Sequence, residues 1–180
     1  MPAQTDLPPE WPVVPACYGW LSLDRRGVWR LRGEPVVHPG LSGFISANYE
    51  ADEHGNWLVN NGPQKVFVTL DYTPWVMQLD ADGTLHTHTG RLVGEVEAVH
   101  LDDEGNVLLA TAVGLGLLSD RDLPAFLADC RLANGGVADD EALLGVMAGK
   151  GGVFWRGMPL TRVAGNELAA RYHFNAAPAQ

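Results

Sequence analysis

The sequence predicts an α+β protein in which antiparallel strands dominate and a few short helices lie mostly near the C-terminus. Three observations support this prediction: strand-like alternation of apolar and polar residues, a recurring Asp-x-x-Gly turn, and capped helical segments after residue 118. Apolar residues make up 46% of the 180 residues and charged residues 19%, a balance typical of globular domains. We expect a meander of hairpins, arranged as a small barrel or as two β-rich lobes.

The Asp-x-x-Gly turns begin at Asp24, Asp52, Asp80 and Asp102. An aspartate at the first turn position accepts hydrogen bonds from the backbone that follows it, and the glycine takes the positive φ that closes the reversal. Each turn therefore predicts the tip of a β-hairpin.

Strands are predicted where apolar side chains occupy every second position. Val66, Val68 and Leu70 share one face of such a strand, and the segment 91–98 alternates in the same way. This pattern predicts a mainly antiparallel sheet over residues 19–118, with one buried face and one solvated face.

Helices are predicted where capping residues precede apolar stripes. The predicted helical segments are 41–47, 119–130, 139–148 and 166–172. At the N-terminus, residues 1–16 are rich in proline and predict an extended arm, because proline fixes φ and removes a hydrogen-bond donor. The rest of the chain then divides into a β-rich domain, 17–130, which ends in a helix, and a module, 131–180, in which a helix precedes a strand–turn–helix.

Two segments of the chain have similar patterns. Residues 27–49 and 152–172 both show Gly-Val, an aromatic residue, Gly-x-Pro, an apolar residue and then a helical stretch. The pattern predicts an internal duplication, with 131–180 repeating 23–50. Chance similarity of a common turn is the alternative.

The pattern Gly-x-Trp, Gly-x-Pro-apolar, a helix and then Asp-x-x-Gly-x-Trp-Leu-Val resembles uncharacterised conserved protein families of bacteria, that is, domains of unknown function. The resemblance covers residues 23–70 best, with an echo at 152–172. It implies a bacterial origin and a compact β-rich fold. The shared motifs are structural, so the resemblance implies no activity and no site.

Charge limits the classes of partner. The formal net charge is −10, and between residues 50 and 104 eleven acidic residues stand against Lys65 and Arg91. Because nucleic-acid binding depends on cationic side chains that release counterions, we expect no useful affinity for DNA or RNA. No apolar stretch reaches the roughly 18 residues of a membrane span, and the start lacks a basic secretory signal, so we expect a cytoplasmic protein.

The sequence also contains one cluster of arginines and two cysteines. Arg26, Arg30 and Arg32 share one face of a predicted strand, which we interpret as a solvated face, with an anion or partner site as the alternative. Cys17 and Cys130 are too few for a disulfide framework and are expected to be small buried side chains.

A metal site is predicted from His86, His88 and Glu95. The His-Thr-His spacing places both rings on one strand face, and a hairpin at Thr89-Gly90 would bring Arg91, Val93 and Glu95 to that face. Two histidines and a carboxylate are a known zinc ligand set, with an open position that can activate water. A solvated hairpin face is the alternative interpretation.

A ligand pocket is predicted near the loop after the strand Trp-Leu-Val. Asn-Gly is a hairpin turn, but Pro63 cannot donate to the ladder, so we expect a longer or bulged loop that leaves its amides exposed. These amides and nearby aromatic rings would line a polar-aromatic pocket. The predicted ligand-binding residues are Asn60, Asn61, Gln64, Trp57, Tyr72 and Trp75.

Catalytic motifs are absent from the sequence. It has no nucleophile elbow, dinucleotide fingerprint, phosphate-binding loop, Cys-x-x-Cys or His-Glu-x-x-His, so no catalytic residue and no cofactor is predicted. We therefore expect a non-catalytic small-ligand-binding, protein-binding or regulatory module. The alternative is a metal-assisted hydrolase that uses His86, His88 and Glu95. The partner is expected to be a small molecule or a protein, including a second copy of the chain.

Overall fold

The computed structural model describes residues 14–180, which divide into two compact units. The first contains residues 14–74 and the C-terminal segment His173–Gln180, and the second is Trp75–Tyr172. The boundary therefore follows Pro74, whereas the sequence patterns place it after residue 130. Most of the predicted arm, 1–16, lies outside the described residues.

Within its described residues, the first unit consists of a six-stranded sheet and one helix, α1 (Pro39–Ala47). The strands are β1 (Ala16–Leu23), β2 (Trp29–Leu31), β3 (Glu34–Pro35), β4 (Tyr49–Ala51), β5 (Trp57–Asn61) and β6 (Gln64–Leu70). Their order across the sheet is β3-β2-β1-β6-β5-β4. The central pair, β1 and β6, is parallel, and the other neighbours are antiparallel.

The second unit, residues 75–172, contains an eight-stranded sheet and three short α-helices. Its strands are β7 (Trp75–Leu79), β8 (Leu85–Thr87), β9 (Val96–Leu101), β10 (Val107–Thr111), β11 (Gly114–Leu118), β12 (Cys130–Leu132), β13 (Val153–Trp155) and β14 (Met158–Arg162). The helices are α2 (Leu123–Ala128), α3 (Asp140–Met147) and α4 (Leu168–Arg171). The strand order is β12-β13-β14-β9-β10-β11-β7-β8, in which β9 pairs with β14 and β7 with β11 in parallel.

The structure confirms a strand-rich protein with short helices. Most neighbouring strands are antiparallel, but neither sheet is purely so, because β1–β6, β7–β11 and β9–β14 are parallel pairs that the sequence patterns did not predict. Turn motifs reveal hairpins, which are antiparallel by construction. They carry no information about which hairpin lies beside another. The parallel pair Leu21↔Val68, for example, joins residues far apart in the chain.

The two units share a strand arrangement. The order β2-β1-β6-β5-β4 in the first has the same connections and directions as β8-β7-β11-β10-β9 in the second. Residues 16–70 therefore correspond to residues 75–118 in strand arrangement, whereas the predicted repeat relates residues 23–50 to residues 131–180. The repeat of 23–50 in 131–180 stays a prediction, although the hairpins β2–β3 and β13–β14 have the same turn length and register.

The aspartate turns form as predicted. At the β9–β10 turn, the Asp102 carboxylate accepts hydrogen bonds from the backbone N–H groups of Glu104 (2.9 Å) and Asn106 (2.8 Å). The turns at Asp24 and Asp52 repeat this geometry. In the β7–β8 turn, the Asp82 carboxylate, rather than that of Asp80, accepts a hydrogen bond from the Thr84 N–H (2.9 Å).

The β5–β6 loop corrects another prediction. Asn61 pairs directly with Gln64, so the loop has two residues, Gly62 and Pro63, and no bulge. Gly62 has φ +63°, which is the first position of a type II′ turn. The second position of that turn takes a negative φ, which the proline ring supplies, and the missing N–H is not needed there.

The helices fall in or overlap the four predicted segments, and both cysteines are buried as expected. The predicted side-chain cap forms at α3 but not at α2. α3 begins after Asp139, whose side chain accepts a hydrogen bond from the Ala142 N–H. None of the helices in residues 14–180 has the length and apolar character needed to cross a bilayer.

The C-terminal segment completes the first unit. The Asn175 N–H donates to the Gly55 carbonyl, and the Leu70 N–H donates to the Ala176 carbonyl. Gly55 has φ +80°, and a Cβ atom there would lie 2.4 Å from the His173 carbonyl oxygen. The β4–β5 turn therefore requires glycine for its backbone conformation and also for its contact with this segment.

We predict that Gly55→Ala lowers the free energy of unfolding by more than Gly33→Ala does. Gly33 also has a positive φ (+83°), but its Cβ would meet nothing within 4 Å. Gly33→Ala therefore measures the conformational cost alone, about 1 kcal/mol. Gly55→Ala adds the clash with His173, and we expect at least about 1 kcal/mol more. Urea unfolding measures both, and equal losses would contradict the proposed role of the C-terminal segment.

Candidate functional site

A largely apolar groove lies on the first unit, and we call it the Trp20 groove. Its volume is about 460 Å³. β1 contributes Trp20, the β2–β3 hairpin contributes one wall, and the segment that leads into α1 contributes the other. The lining residues are Trp20, Leu31, Arg32, Glu34, Pro35, Val36, Val37, His38 and Leu41. Val37 is 87% exposed, so apolar surface here faces solvent.

Arg32 occupies an unusual backbone position beside this groove. Arg32 (φ +49°) and Gly33 (φ +83°) form the two-residue turn between β2 and β3, which is a type I′ turn. That turn favours Asn-Gly, because most side chains are strained at positive φ. The guanidinium carbon lies 3.6 Å from the centroid of the Trp20 ring. Within residues 14–180 the guanidinium makes no hydrogen bond and no ion pair.

Two further residues that line the Trp20 groove, Trp20 and His38, carry nitrogen donors. The buried indole N–H of Trp20 has no hydrogen-bond partner within residues 14–180. His38 caps α1: its Nδ1 accepts a hydrogen bond from the Leu41 N–H (3.2 Å), so the neutral ring carries its proton on Nε2. The groove thus combines apolar walls with three N–H-bearing side chains and one carboxylate, that of Glu34.

The predicted amide pocket has a different organisation. The Asn61 Nδ2 donates to Gln64 Oε1 (3.3 Å), and the Gln64 Nε2 donates to the Val14 carbonyl (2.9 Å). The Asn60 Nδ2 donates to Glu50 Oε1 (3.2 Å), while its buried Oδ1 has no hydrogen-bond partner in the described residues. The amides therefore lie together at the tip of the β5–β6 hairpin and bond mainly to neighbours.

The aromatic residues of that prediction lie elsewhere. Trp57 begins β5, at the opposite end of the strand from Asn61, and packs on Tyr49 with ring centroids 4.8 Å apart. Tyr72 lies beyond β6 with the Arg25 guanidinium 4.4 Å from its ring centroid. Trp75 belongs to the second unit, where its indole N–H donates to the Val113 carbonyl. Ligand binding at these six positions stays a prediction.

The predicted metal ligands have separate environments. The His86 ring contacts Asp80 (Nδ1 to Oδ2, 2.9 Å) and Gln78 (Nε2 to Oε1, 3.2 Å). The His88 Nδ1 accepts a hydrogen bond from the Val76 N–H, and Glu95 is exposed.

The register also differs from the one predicted for this hairpin. The residue opposite His86 is Leu92, so the expected shared face with Arg91 and Val93 does not form. In residues 14–180 no cluster of three or more His, Cys, Asp or Glu side chains is arranged to hold a metal ion. Zinc binding by His86, His88 and Glu95 stays a prediction.

Sequence analysis did not single out His100, which is 1% exposed and lies in β9 of the second unit. Its Nδ1 shares a hydrogen bond with the Thr161 hydroxyl (2.7 Å), and that hydroxyl also lies within hydrogen-bond distance of the Val99 carbonyl (3.4 Å). Its Nε2 shares a hydrogen bond with the Tyr172 hydroxyl. Burial, reinforced by the positive charge of Arg171, lowers the pKa of His100 to about 4. The ring is therefore neutral at pH 7 and connects β9, β14 and the end of α4.

The profile of a family described as "Protein of unknown function (DUF2946)", DUF2944, matches residues 8–179. The chain belongs to this family. The expected kinship with uncharacterised protein families is thereby confirmed, and no curated protein matches the chain.

Two solved structures are similar to this DUF2944 family chain. A DUF1285 family protein from Silicibacter pomeroyi DSS-3 has 16% sequence identity and a TM-score of 0.54, with 85% of this chain and 84% of that chain covered. A DUF1285 family protein from Shewanella baltica OS155 has 17% identity and a TM-score of 0.46, with 59% and 89% covered. At this identity, the first likeness shows the fold alone.

We predict that His100 makes stability depend on pH. Between pH 6.5 and 4 the unfolded chain protonates this ring and the folded protein does not, so the free energy of unfolding falls as the pH is lowered through this range. The loss approaches about 3 kcal/mol, because the pKa lies about 2.5 units below its usual value of 6.5. Urea unfolding at several pH values measures it.

The control for this prediction is His54, whose side chain is 74% exposed. His100→Gln should be less stable at pH 7 but lose less stability on acidification, whereas His54→Gln should retain the wild-type pH dependence. Equal pH dependence in wild type and His100→Gln would show that other groups cause it.

Proposed function

We propose that this chain is a non-catalytic binding module that holds a small organic carboxylate in the Trp20 groove. One observation supports the proposal most directly: Arg32 occupies a strained turn position, stacks on the half-buried Trp20 ring of the groove wall and has no hydrogen bond or ion pair within residues 14–180. An arginine without a polar partner beside apolar walls is suited to a ligand that has an apolar body and an anionic end.

The donors favour a carboxylate as that anionic end. A guanidinium presents its N–H groups in a fork that matches two carboxylate oxygens. The indole N–H of Trp20 can donate but cannot accept, so a ligand atom that satisfies it must be an acceptor. α1 begins beside the groove, and the positive end of its helix dipole also favours an anion. Glu34 opposes a strongly charged ligand, which favours a monoanion.

The size of the groove favours a small molecule over a protein surface. Small-molecule sites usually have volumes of roughly 300–1,000 Å³, and this groove, at about 460 Å³, lies in that range. A stable protein interface needs roughly 800 Å² from each partner. The groove is therefore better suited to a small molecule than to a protein surface.

Energetics also point to a role for Arg32 beyond folding. A non-glycine residue at positive φ costs about 1 kcal/mol, and a cation–π contact near the surface contributes about 0.5–1 kcal/mol. The stack therefore does little more than offset the strain of the turn. A glycine here would give a comparable free energy of unfolding, so the arginine is better explained by what it binds.

We also propose that the protein is bacterial and cytoplasmic, as the sequence predicts. The resemblance to uncharacterised bacterial families supports the origin. Cys17 and Cys130 are both buried thiols without a disulfide, which agrees with a reducing compartment.

We predict that hexanoate shifts the Trp20 indole N–H resonance in ¹H–¹⁵N spectra and that hexanamide, its neutral analogue, does not. The reason is that only the carboxylate pairs with Arg32. Arg32→Gly should abolish the hexanoate shift and change the free energy of unfolding by less than about 1 kcal/mol.

The controls separate the alternatives. Equal shifts of the Trp20 indole N–H resonance with hexanamide would show that the groove binds apolar chains without discriminating between charged and neutral ligands. Retention of the hexanoate shift in Arg32→Gly would exclude Arg32 as the carboxylate partner. If neither hexanoate nor hexanamide binds in the groove but a protein does, the protein-binding alternative is favoured.

A further inference from the structure

The second unit carries a groove of its own, which we call the Trp155 groove. It has a volume of about 450 Å³ and lies where β8, the start of β9 and the β13–β14 hairpin come together. Its lining residues are Gly83, Thr84, Leu85, Leu92, Gly94, Val96, Trp155, Arg156 and Met158. Leu92 is 68% exposed, which makes one wall an apolar surface open to solvent.

Trp155, which forms part of the groove wall, leaves a buried donor unsatisfied. The residue is 1% exposed, and its indole N–H has no hydrogen-bond partner among residues 14–180. A buried N–H without an acceptor is unfavourable, and native proteins satisfy nearly all such groups, which makes this tryptophan unusual.

Arg156 lies beside Trp155 in a strained turn. It has φ +49° and precedes Gly157 (φ +79°) in the two-residue turn between β13 and β14. Its guanidinium carbon lies 4.3 Å from the centroid of the Trp155 ring. One nitrogen, Nη2, donates to the Gly83 carbonyl (2.7 Å), and this is its one side-chain hydrogen bond within the described residues. The contact orients the guanidinium and leaves its other N–H groups for a ligand.

Charge in the Trp155 groove has a single sign. Arg156 is the one charged residue among those that line it, in a chain whose formal net charge is −10. The nearby Asp80 carboxylate contacts His86, and the Asp82 carboxylate caps the Thr84 N–H. An anionic group at Arg156 therefore meets a cation with no carboxylate in the groove wall to compete for it.

We infer that the Trp155 groove is a second carboxylate-binding site, which takes an apolar monocarboxylate independently of the first unit. The carboxylate pairs with the Arg156 guanidinium, which stacks on the Trp155 ring. The apolar chain lies against Leu85, Val96 and Met158. This inference rests on residues of the second unit alone and goes beyond the proposed function of the Trp20 groove.

The first unit provides an independent parallel. Its hairpin pairs Leu31 with Glu34 across Arg32-Gly33, as the second pairs Trp155 with Met158 across Arg156-Gly157. In both, an arginine at φ +49° stacks on a tryptophan whose indole N–H has no hydrogen-bond partner in the described residues. The tryptophan comes from the neighbouring strand β1 in the first unit and from the hairpin itself in the second, so an arginine–tryptophan stack at the same turn type recurs beside both grooves.

The test is an NMR titration of the full chain with hexanoate and with hexanamide, in which the indole N–H resonances of Trp20 and Trp155 report on the two grooves separately. Arg156→Gly and Arg32→Gly are matched variants, because both positions have φ +49° and glycine adopts that conformation without strain. Arg156→Asn is a second variant that tolerates the same backbone.

We expect hexanoate, but not hexanamide, to shift the Trp155 indole N–H resonance. Arg156→Gly and Arg156→Asn should weaken this response by about tenfold or more, since a charge-assisted pair is lost, and Arg32→Gly should leave it unchanged. No Trp155 response to hexanoate, an equal response to hexanamide, or an unchanged response in both Arg156 variants would overturn the second site. A Trp20 response that survives any of these results would leave the proposed function of the first unit intact.

Discussion

Parallel strand pairing is the interaction on which each sheet depends. In the first unit β1 pairs with β6, and this contact joins the hairpins β1–β2–β3 and β4–β5–β6 into one sheet. In the second unit the β7–β11 and β9–β14 pairs join three groups of antiparallel strands. A hairpin alone is marginally stable in water, so these long-range pairs are needed to bury the apolar faces that the hairpins present.

The two grooves follow from how the hairpins end. A two-residue turn with Arg-Gly at its tip places the arginine at positive φ and brings its guanidinium against a tryptophan ring. The strain is local, and the surrounding ladders hold it in place. Arg32 differs from Arg156 in that the latter also donates to a neighbouring turn, at Gly83, which makes its guanidinium more firmly oriented. Both units thus contain an arginine–tryptophan stack, and within residues 14–180 the guanidinium is held by an additional hydrogen bond only in the second unit.

Sequence patterns predicted local structure well but did not predict how the candidate site residues are arranged in space, for identifiable reasons. Asp102 caps its own turn, and Asp139 caps α3, as expected, because both contacts join residues at most four positions apart. The Gly62-Pro63 loop is shorter than expected because a type II′ turn does not need the backbone N–H that proline lacks. For His86, the expected face depended on a register that the pairing with Leu92 replaces.

By itself, the sequence determined the strand-rich character of the chain, the positions of the turns and short helices, and the acidic charge. These properties depend on neighbouring residues. Only the tertiary structure decided which strands pair in parallel, that His173–Gln180 returns to the first unit, and that His100 is buried beside Thr161 and Tyr172. It also decided that Arg32, one of a basic cluster in the sequence, stacks on Trp20. The reason is physical: each of these contacts joins residues distant in the chain, and their formation depends on the packing of whole strands.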